Sequence, residues 1–197
     1  MKKGAVFTPV LYIAVFVLAM LTAGPAISQT GGSAGEQEGM LLERGKYLVN
    51  FGGCNDCHSP KVMTPQGPVP DETKLLSGFP EGKALPEFDL AMVGPGKWIL
   101  FSDDITASVG PWGTTYAVNL TPDQATGIGL WTPEIFTAAM RTGKHMGTGQ
   151  PIKPPMPWMS LKSLTDEDLR AVFAYLHSLP PVKNKVPASV APGDMGK

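Results

Sequence analysis

Two cysteines and a histidine stand together as Cys54-Asn55-Asp56-Cys57-His58, and this short segment constrains the protein more than any other feature of its sequence. C-x-x-C-H is the spacing that attaches a haem covalently to a polypeptide. Each thiol can add across one vinyl group of the porphyrin, and the adjacent histidine is then held beneath the ring as an axial iron ligand. The segment therefore predicts one covalently bound haem c, with Cys54 and Cys57 as attachment residues and His58 on the iron.

Other uses of a C-x-x-C pair fit this chain poorly. Beyond the motif there is no further cysteine and the histidines are only His145 and His177, so a structural zinc site would lack the four N or S ligands it needs. A thioredoxin-type dithiol needs a strand before the motif and a helix starting at it. Gly52-Gly53 and Ser59-Pro60 flank the motif instead, which indicates a helix end that passes into a loop.

Residues 1–28 have the layout of a secretory signal peptide: two lysines, an apolar stretch over 10–21 and small residues over 23–28. We predict cleavage after Ser28, with cleavage after Ala26 as the alternative site. An uncleaved membrane anchor is the alternative, because the apolar residues over 5–23 approach the length that spans a bilayer. Cleavage would change the formal net charge from -1 to -3, since the segment holds two lysines and no acid. This negative charge argues against nucleic acid as a partner.

The remaining chain predicts a single domain with many turns and few strands, since the sequence contains 20 Pro and 23 Gly. Residues 29–38 are rich in Gly, Ser and Glu and predict a flexible lead-in. Residues 183–197 predict a loosely ordered tail. The domain between them covers 39–182, and its segment 60–112 is a long insertion rich in Pro and Gly.

Three amphipathic helices are predicted in this domain. The first covers 39–51 and places Gly45 where another helix can cross closely. The second lies between Thr132 as N-cap and Gly143, and the third between Thr165 as N-cap and Ser178. Short helices joined by long loops cannot close a core alone, so we expect them to wrap around the haem.

Five residues are candidates for the second axial ligand: Met156, Met159, Met146, His145 and His177. Met156 lies in Lys153-Pro154-Pro155-Met156-Pro157-Trp158, where the prolines favour an extended, preorganised loop that presents the thioether with little loss of entropy. We therefore predict Met156 as the ligand, with Met159 as the next candidate. His177 lies off the apolar stripe of its helix and is predicted to be a surface or helix-terminal residue.

Four residues carry N–H or O–H groups that can donate to the haem propionates: Trp112, Tyr116, Asn119 and Arg141. An ordinary packing or surface role is the alternative for each of them. Within and after the insertion, 97–101 and 114–118 are β-prone and predict a small hairpin laid against the haem edge. A surface loop without function is the alternative for the insertion.

The order of these features resembles that of the class I monohaem c-type cytochromes: an attachment motif after an N-terminal helix, a Pro-flanked Met on a loop, then a C-terminal helix. The match covers about 39–182, and the insertion 60–112 departs from it. Several motifs more narrowly resemble the cytochrome c subunits and domains that accompany periplasmic dehydrogenases: 119–123, 126–129, 131–132, 141–143 and 155–158. The resemblance implies an all-α fold around a covalently bound haem, His58 and Met156 as ligands, and a periplasmic location.

A His/Met pair saturates the iron, so no coordination site is open for a substrate, and the soft thioether favours Fe(II). The sequence also lacks a Ser-His-Asp constellation, an H-E-x-x-H motif and a Gly-rich phosphate loop. We therefore expect a carrier of one electron between redox partner proteins such as a dehydrogenase, an oxidase or another cytochrome, and not an enzyme. Two alternatives stay open: a cytochrome subunit that is tightly bound to a dehydrogenase or respiratory complex, and a gas sensor or peroxidase with a labile Met156.

Overall fold

A computed structural model describes residues 33–196, so the predicted signal peptide over 1–28 lies outside the described residues. The described part contains five α-helices: α1 Ala34–Phe51, α2 Cys54–His58, α3 Pro133–Thr142, α4 Trp158–Leu161 and α5 Asp166–Ser178. It also contains five strands: β1 Lys61–Thr64, β2 Gly67–Pro70, β3 Leu100–Phe101, β4 Ala107–Gly110 and β5 Gly113–Tyr116. The helical architecture is therefore present, but the fold is mixed and not all-α. None of the helices within 33–196 has the length and apolar character needed to cross a membrane.

The first helix begins earlier than the sequence predicted. Ser33 forms a capping box with Glu36, in which the Ser33 backbone N–H donates to Glu36 Oε2 at 2.7 Å and the Glu36 N–H donates to Ser33 Oγ at 3.4 Å. This reciprocal pair satisfies two otherwise free donors of the first turn. The prediction of a flexible lead-in over 29–38 is therefore wrong from Ala34 onwards.

The predicted close helix crossing is confirmed where α1 meets α5. A Cβ placed on Gly45 would lie 2.0 Å from the carbonyl oxygen of Ala171 and 2.7 Å from Cβ of Tyr175. Only glycine lets the two backbones approach this closely. At the same crossing the Arg44 guanidinium donates to the Asp168 carboxylate at 2.8 Å.

The other two long helices have the boundaries that the sequence predicted. Thr132 Oγ1 accepts from the Ile135 N–H at 3.3 Å at the start of α3, and Gly143 ends that helix with a φ of 66°. Thr165 Oγ1 accepts from the Asp168 N–H at 3.1 Å at the start of α5. The buried core combines apolar side chains of the three long helices with two from loops: Val49, Leu76, Ile128, Phe136, Ala139, Met140, Leu169, Val172, Phe173 and Leu176.

The strands form two antiparallel sheets, a β1–β2 hairpin and a sheet of order β3-β4-β5. The predicted pairing of 97–101 with 114–118 is wrong, because β4 lies between them: Leu100 pairs with Val109, and Val109 pairs with Thr114. A two-residue turn joins β4 to β5 and closes this pair at little loss of chain entropy. The insertion 60–112 thus contributes most of the β structure.

The segment after α5 is tied to the rest of the domain, so the prediction of a loose tail from 183 is wrong. Asn184 is buried, and its amide donates to the carbonyl oxygens of Ser77 at 2.6 Å and Phe79 at 2.9 Å. Farther along, Val190 and Thr114 exchange two backbone hydrogen bonds of 2.9 Å. The amino-acid composition of the segment does not reveal these polar contacts. They extend the domain past residue 182.

Candidate haem site

The attachment motif forms a short helix directly after α1. Gly53 adopts a left-handed conformation with a φ of 66°, which turns the chain between Phe51 and α2. Cys54 and Cys57 are three residues apart on this helix and share one face. Both thiols are free and partly buried. Burial raises the pKa of the Cys54 thiol to about 11 and also raises the pKa of Cys57, so both are protonated thiols at neutral pH.

The imidazole of His58 is buried and held in one orientation. Its Nδ1 lies 2.8 Å from the carbonyl oxygen of Val118, and a carbonyl can only accept, so Nδ1 carries the proton. Burial lowers the pKa of His58, partly offset by that hydrogen bond, so the ring is neutral. Nε2 makes no hydrogen bond within residues 33–196 and bears the free lone pair. This is the tautomer that a metal-bound histidine needs.

Side chains next to the motif anchor it to the insertion. Ser59 Oγ donates to Asn55 Oδ1 at 2.8 Å and accepts from the Leu76 N–H at 2.8 Å. The Gly78 N–H donates to the carbonyl oxygen of His58 at 2.7 Å. Sequence reasoning missed Asn55 and Ser59, because nothing in their residue type distinguishes a structural hydrogen bond from a surface position.

Met156 lies in a loop that β5 holds. Its side chain is partly buried, whereas Met159 is 71% exposed. Thr115 Oγ1 donates to the carbonyl oxygen of Pro154 at 3.1 Å and lies 2.8 Å from Ser108 Oγ of the neighbouring strand. The lower exposure of Met156 is the expected property of a ligand.

One stretch of chain contacts the segments of both predicted iron ligands. Thr115 bonds to the Pro154 carbonyl of the Met156 loop, and Val118 accepts from His58. Three residues span at most about 11 Å of extended chain. β5 and the residues that directly follow it therefore bring the attachment segment and the methionine loop to opposite ends of one short backbone segment.

The two other histidines are engaged in protein contacts. His145 packs edge-on against the ring of Trp131 with 5.2 Å between centroids. His177 is partly buried, lies 4.1 Å from the Phe173 ring and places Nε2 3.0 Å from the carbonyl oxygen of Ile128. His177 lies in the last turn of α5, as one of the two predicted alternatives had it, but its side chain packs against the loop around Ile128 and does not stand on the surface.

Two of the predicted propionate donors have free polar groups. The indole of Trp112 lies over Gly110, and its buried Nε1–H has no hydrogen-bond partner among the described residues. An unpaired buried donor is costly and indicates a missing acceptor. Tyr116 packs on Phe79 with 4.8 Å between ring centroids, and burial raises the pKa of its hydroxyl.

The side-chain amide of Asn119 has no free hydrogen-bonding position, because other groups of the protein occupy all four. Its Nδ2 donates to the carbonyl oxygen of Val182 at 2.8 Å and to Thr126 Oγ1 at 3.2 Å. Its Oδ1 accepts from the N–H and hydroxyl of Thr121 at 2.9 Å and 2.7 Å. The contacts therefore contradict its predicted role as a propionate donor and assign it to joining 119–126 to the segment after α5.

Arg141 is likewise engaged within the protein. Its guanidinium donates to the Asp166 carboxylate at 2.6 Å and to the carbonyl oxygen of Lys162. Both partners lie at the start of α5 or just before it, so the side chain joins α3 to α5. These contacts favour the packing role that was the alternative for Arg141, and since they use two of its five N–H donors the propionate contact stays a prediction.

The remaining donor set fits a haem. Cys54 and Cys57 offer two sulfurs on one face, His58 offers a neutral nitrogen, and Trp112 offers an unpaired N–H donor. Val118, whose carbonyl orients His58, has a side chain that is 50% exposed. Sulfur attachment, one fixed imidazole and a free donor are the features of a c-type cytochrome site.

Comparison with known proteins supports this class. The chain is 32% identical over 143 residues to the gluconate 2-dehydrogenase cytochrome c subunit of Pantoea cypripedii, with 72% of this chain aligned. It is 30% identical over 165 residues to the alcohol dehydrogenase (quinone), cytochrome c subunit of Gluconobacter oxydans, with 82% aligned. It is also 42% identical over 155 residues to a nicotinate dehydrogenase subunit of Pseudomonas putida, with 79% aligned. No protein-family model matches the chain.

These similarities confirm the predicted resemblance: the chain is similar to cytochrome c subunits of dehydrogenases. The chain spans 10% of the nicotinate dehydrogenase subunit, 24% of the gluconate 2-dehydrogenase subunit and 27% of the alcohol dehydrogenase subunit. The similarity therefore concerns one portion of each of these longer proteins.

Proposed function

We propose that this protein is a periplasmic electron-transfer subunit that carries one covalently bound haem c and works bound to a dehydrogenase. Two relatives are named as cytochrome c subunits of dehydrogenases, which supports a permanently bound subunit more than a freely diffusing carrier. Residues 1–28 support export to the periplasm. The haem, when bound, supplies the one-electron Fe(III)/Fe(II) couple.

The observation that carries this proposal is the arrangement around His58. A buried neutral imidazole, oriented by the Val118 carbonyl, immediately follows two cysteines on one helical face. A hydrogen bond from Nδ1 fixes the ring and makes Nε2 a better ligand. The chain thus holds a preorganised nitrogen donor beside two attachment sulfurs.

The other residues of the site have supporting tasks in this proposal. Met156 would supply the second iron ligand, and Thr115 fixes the loop that carries it. Trp112, through its unpaired Nε1–H, and Tyr116 would donate to a haem propionate. Iron held by both His58 and Met156 would leave no position for a substrate, so the haem would supply electron transfer only.

Covalent attachment is tested by extraction. Thioether bonds should keep haem on the polypeptide through acid-acetone treatment and denaturing electrophoresis, whereas Cys54→Ala combined with Cys57→Ala should abolish haem staining and cooperative unfolding. Haem that extracts freely from the wild-type protein would contradict the proposal. Carbon monoxide should bind the reduced wild-type protein weakly, and tight binding would favour the gas sensor or peroxidase.

The proposal of a permanently bound subunit makes a kinetic prediction. A dehydrogenase that co-purifies with the tagged chain should reduce its haem at a rate nearly independent of ionic strength, because the complex is already formed. A freely diffusing carrier with a formal charge near -3 after cleavage would be steered by charge, and its rate would fall steeply with salt. A steep salt dependence together with no stable complex would restore the free-carrier alternative.

A further inference from the structure

Lys61 follows the attachment segment by three residues and sits at the start of β1. Its ammonium is surrounded by four backbone carbonyl oxygens at 2.5 to 3.2 Å, those of Asn55, Asp56, Ser59 and Asp104. Two of these carbonyls belong to the C-terminal end of α2, and that of Asn55 also accepts from the Ser59 N–H at 3.3 Å. One lysine therefore closes the C-terminal end of the attachment helix and joins it to the insertion.

Within residues 33–196, no carboxylate directly contacts the ammonium of Lys61. Asp104 offers Lys61 only its backbone carbonyl, at 3.2 Å. The buried Asp104 carboxylate is instead held by Lys83 at 2.9 Å and by the hydroxyls of Ser102 and Thr106, each at 2.8 Å. Carbonyl dipoles solvate the Lys61 ammonium but leave its unit charge in place.

This charge lies beside the attachment segment. The Lys61 ammonium donates to the carbonyl oxygens of Asp56 at 2.8 Å and Ser59 at 2.5 Å, the two residues that flank Cys57 and His58. Reduction of Fe(III) to Fe(II) removes one positive charge, so a fixed cation nearby favours the reduced state.

We propose that Lys61 is a positioning residue of the haem site, which fixes the C-terminal end of α2 and whose charge raises the reduction potential of iron bound through His58. The inference rests on the proposed function, because it requires haem at Cys54, Cys57 and His58. The insertion then has a definite task, since Lys61 and Asp104 both belong to it: it clamps the attachment helix and supplies the cation.

The experiment compares four variants of the full chain, matured with haem: Lys61→Met, Lys61→Gln, Lys61→Arg and Lys97→Met. Redox titration of the two neutral Lys61 variants should give an equilibrium constant for reduction about three- to tenfold below that of the wild type. Lys61→Arg should stay within about twofold of the wild type, because it keeps the charge. Lys97→Met should also change this constant less than about twofold, because Lys97 is exposed and screened and bonds to Ala91 of its own segment.

Redox titration at high salt distinguishes the effect of a local charge from the effect of the net charge of the protein. At about 1 M salt, where the screening length is about 3 Å, the shift at the partly buried Lys61 should persist, and any shift at Lys97 should vanish. If Lys61→Met does not accumulate with haem, the comparison of Lys61→Gln with Lys61→Arg still tests the role of the charge. Gln keeps a hydrogen-bond donor but carries no charge. Equal potentials for the wild type, Gln and Arg variants, with haem still covalently attached, would overturn this inference alone. Haem that extracts from the wild type would instead overturn the proposed function.

Discussion

The two sides of the site are built differently. On the attachment side, His58 is 7% exposed, and α2 is bonded to the insertion through Ser59, Lys61 and Gly78. On the methionine side, the one side-chain hydrogen bond found to the loop 153–157 among the described residues comes from Thr115, and Met156 is only partly buried. The first side is fixed by many cooperating contacts, and the second by few.

This difference indicates how the two ligands depend on the fold. A ligand held by a network of buried hydrogen bonds cannot move without breaking several of them. A ligand on a loop can leave while the helices stay packed, since such loops are the least stable parts of a structure. We therefore expect changes on the attachment side to affect stability in addition to any effect on the iron, and changes on the methionine side to affect mainly the iron.

The largest effect on stability is expected at the crossing of α1 and α5, the scaffold of the attachment side. Gly45→Ala should lower the free energy of unfolding by about 3 kcal/mol, because the new methyl would overlap the Ala171 carbonyl and backbone must shift. Denaturant unfolding followed by circular dichroism measures this. Gly39→Ala in the same helix is the control: its Cβ would meet nothing within 4 Å, so it should stabilise by about 0.5 kcal/mol. Equal stability of the two variants would contradict the close crossing.

Met156→Ala should act on the iron and leave most of the stability intact. We expect the sulfur-to-iron charge-transfer band of the oxidised protein to disappear and the equilibrium constant for reduction to fall by at least about tenfold. Absorption spectra and redox titration measure the two effects. Met159→Ala is the matched control and should leave both nearly unchanged, since Met159 is largely exposed. The reverse pattern would identify Met159 as the ligand.

Thr115→Val tests the side-chain bond to the methionine loop. Loss of the hydroxyl that donates to the Pro154 carbonyl should destabilise the closed loop by about 1 kcal/mol, which corresponds to about fivefold more frequent opening. Exchange of Met156 for added imidazole, followed by absorbance, should accelerate accordingly. Thr114→Val on the same strand is the control, because its hydroxyl is not bonded to this loop. An unchanged exchange rate in Thr115→Val would mean that the prolines alone hold the loop.

The smallest effect concerns acid stability on the attachment side. Burial opposes ionisation of Asp104, but hydrogen bonds from Lys83, Thr106 and Ser102 outweigh it and hold the pKa of this carboxyl below its usual range. A lowered folded-state pKa gives stability above the ordinary aspartate value of about 3.9 that is lost as pH falls below it. Asp104→Asn should therefore make the free energy of unfolding fall less steeply as the pH drops below this value. Asp103 is an exposed partner of the same lysine, Lys83. Asp103→Asn should change this pH dependence less than Asp104→Asn does, and an identical response of the two variants would contradict the role of Asp104.

The helical frame was predictable from local residue types. Thr132, Gly143 and Thr165 fix helix ends through hydrogen bonds within one turn, so their chemistry is visible in sequence. Gly45 was recognisable because its small size on a helix face permits a close crossing. The C-x-x-C-H spacing likewise defines an attachment chemistry without tertiary information.

The errors concern contacts between residues far apart in sequence. β4 was not predicted as the central strand, and Asn184 was placed in a loose tail although it bonds to Ser77 and Phe79. Asn119 has suitable polar groups, but the fold uses those groups internally. Composition cannot distinguish a donor aimed at a cofactor from one aimed at a carbonyl.

Sequence by itself therefore predicted the attachment motif and determined the main helices and the class of relatives. Tertiary structure alone decided which polar groups remain free, since satisfaction of a hydrogen bond depends on the three-dimensional position of its partner. It left Trp112 without a partner among the described residues, gave His58 its tautomer through Val118, and placed Lys61 over the end of α2. These positions are set by packing of the insertion against the helices, which no local pattern encodes.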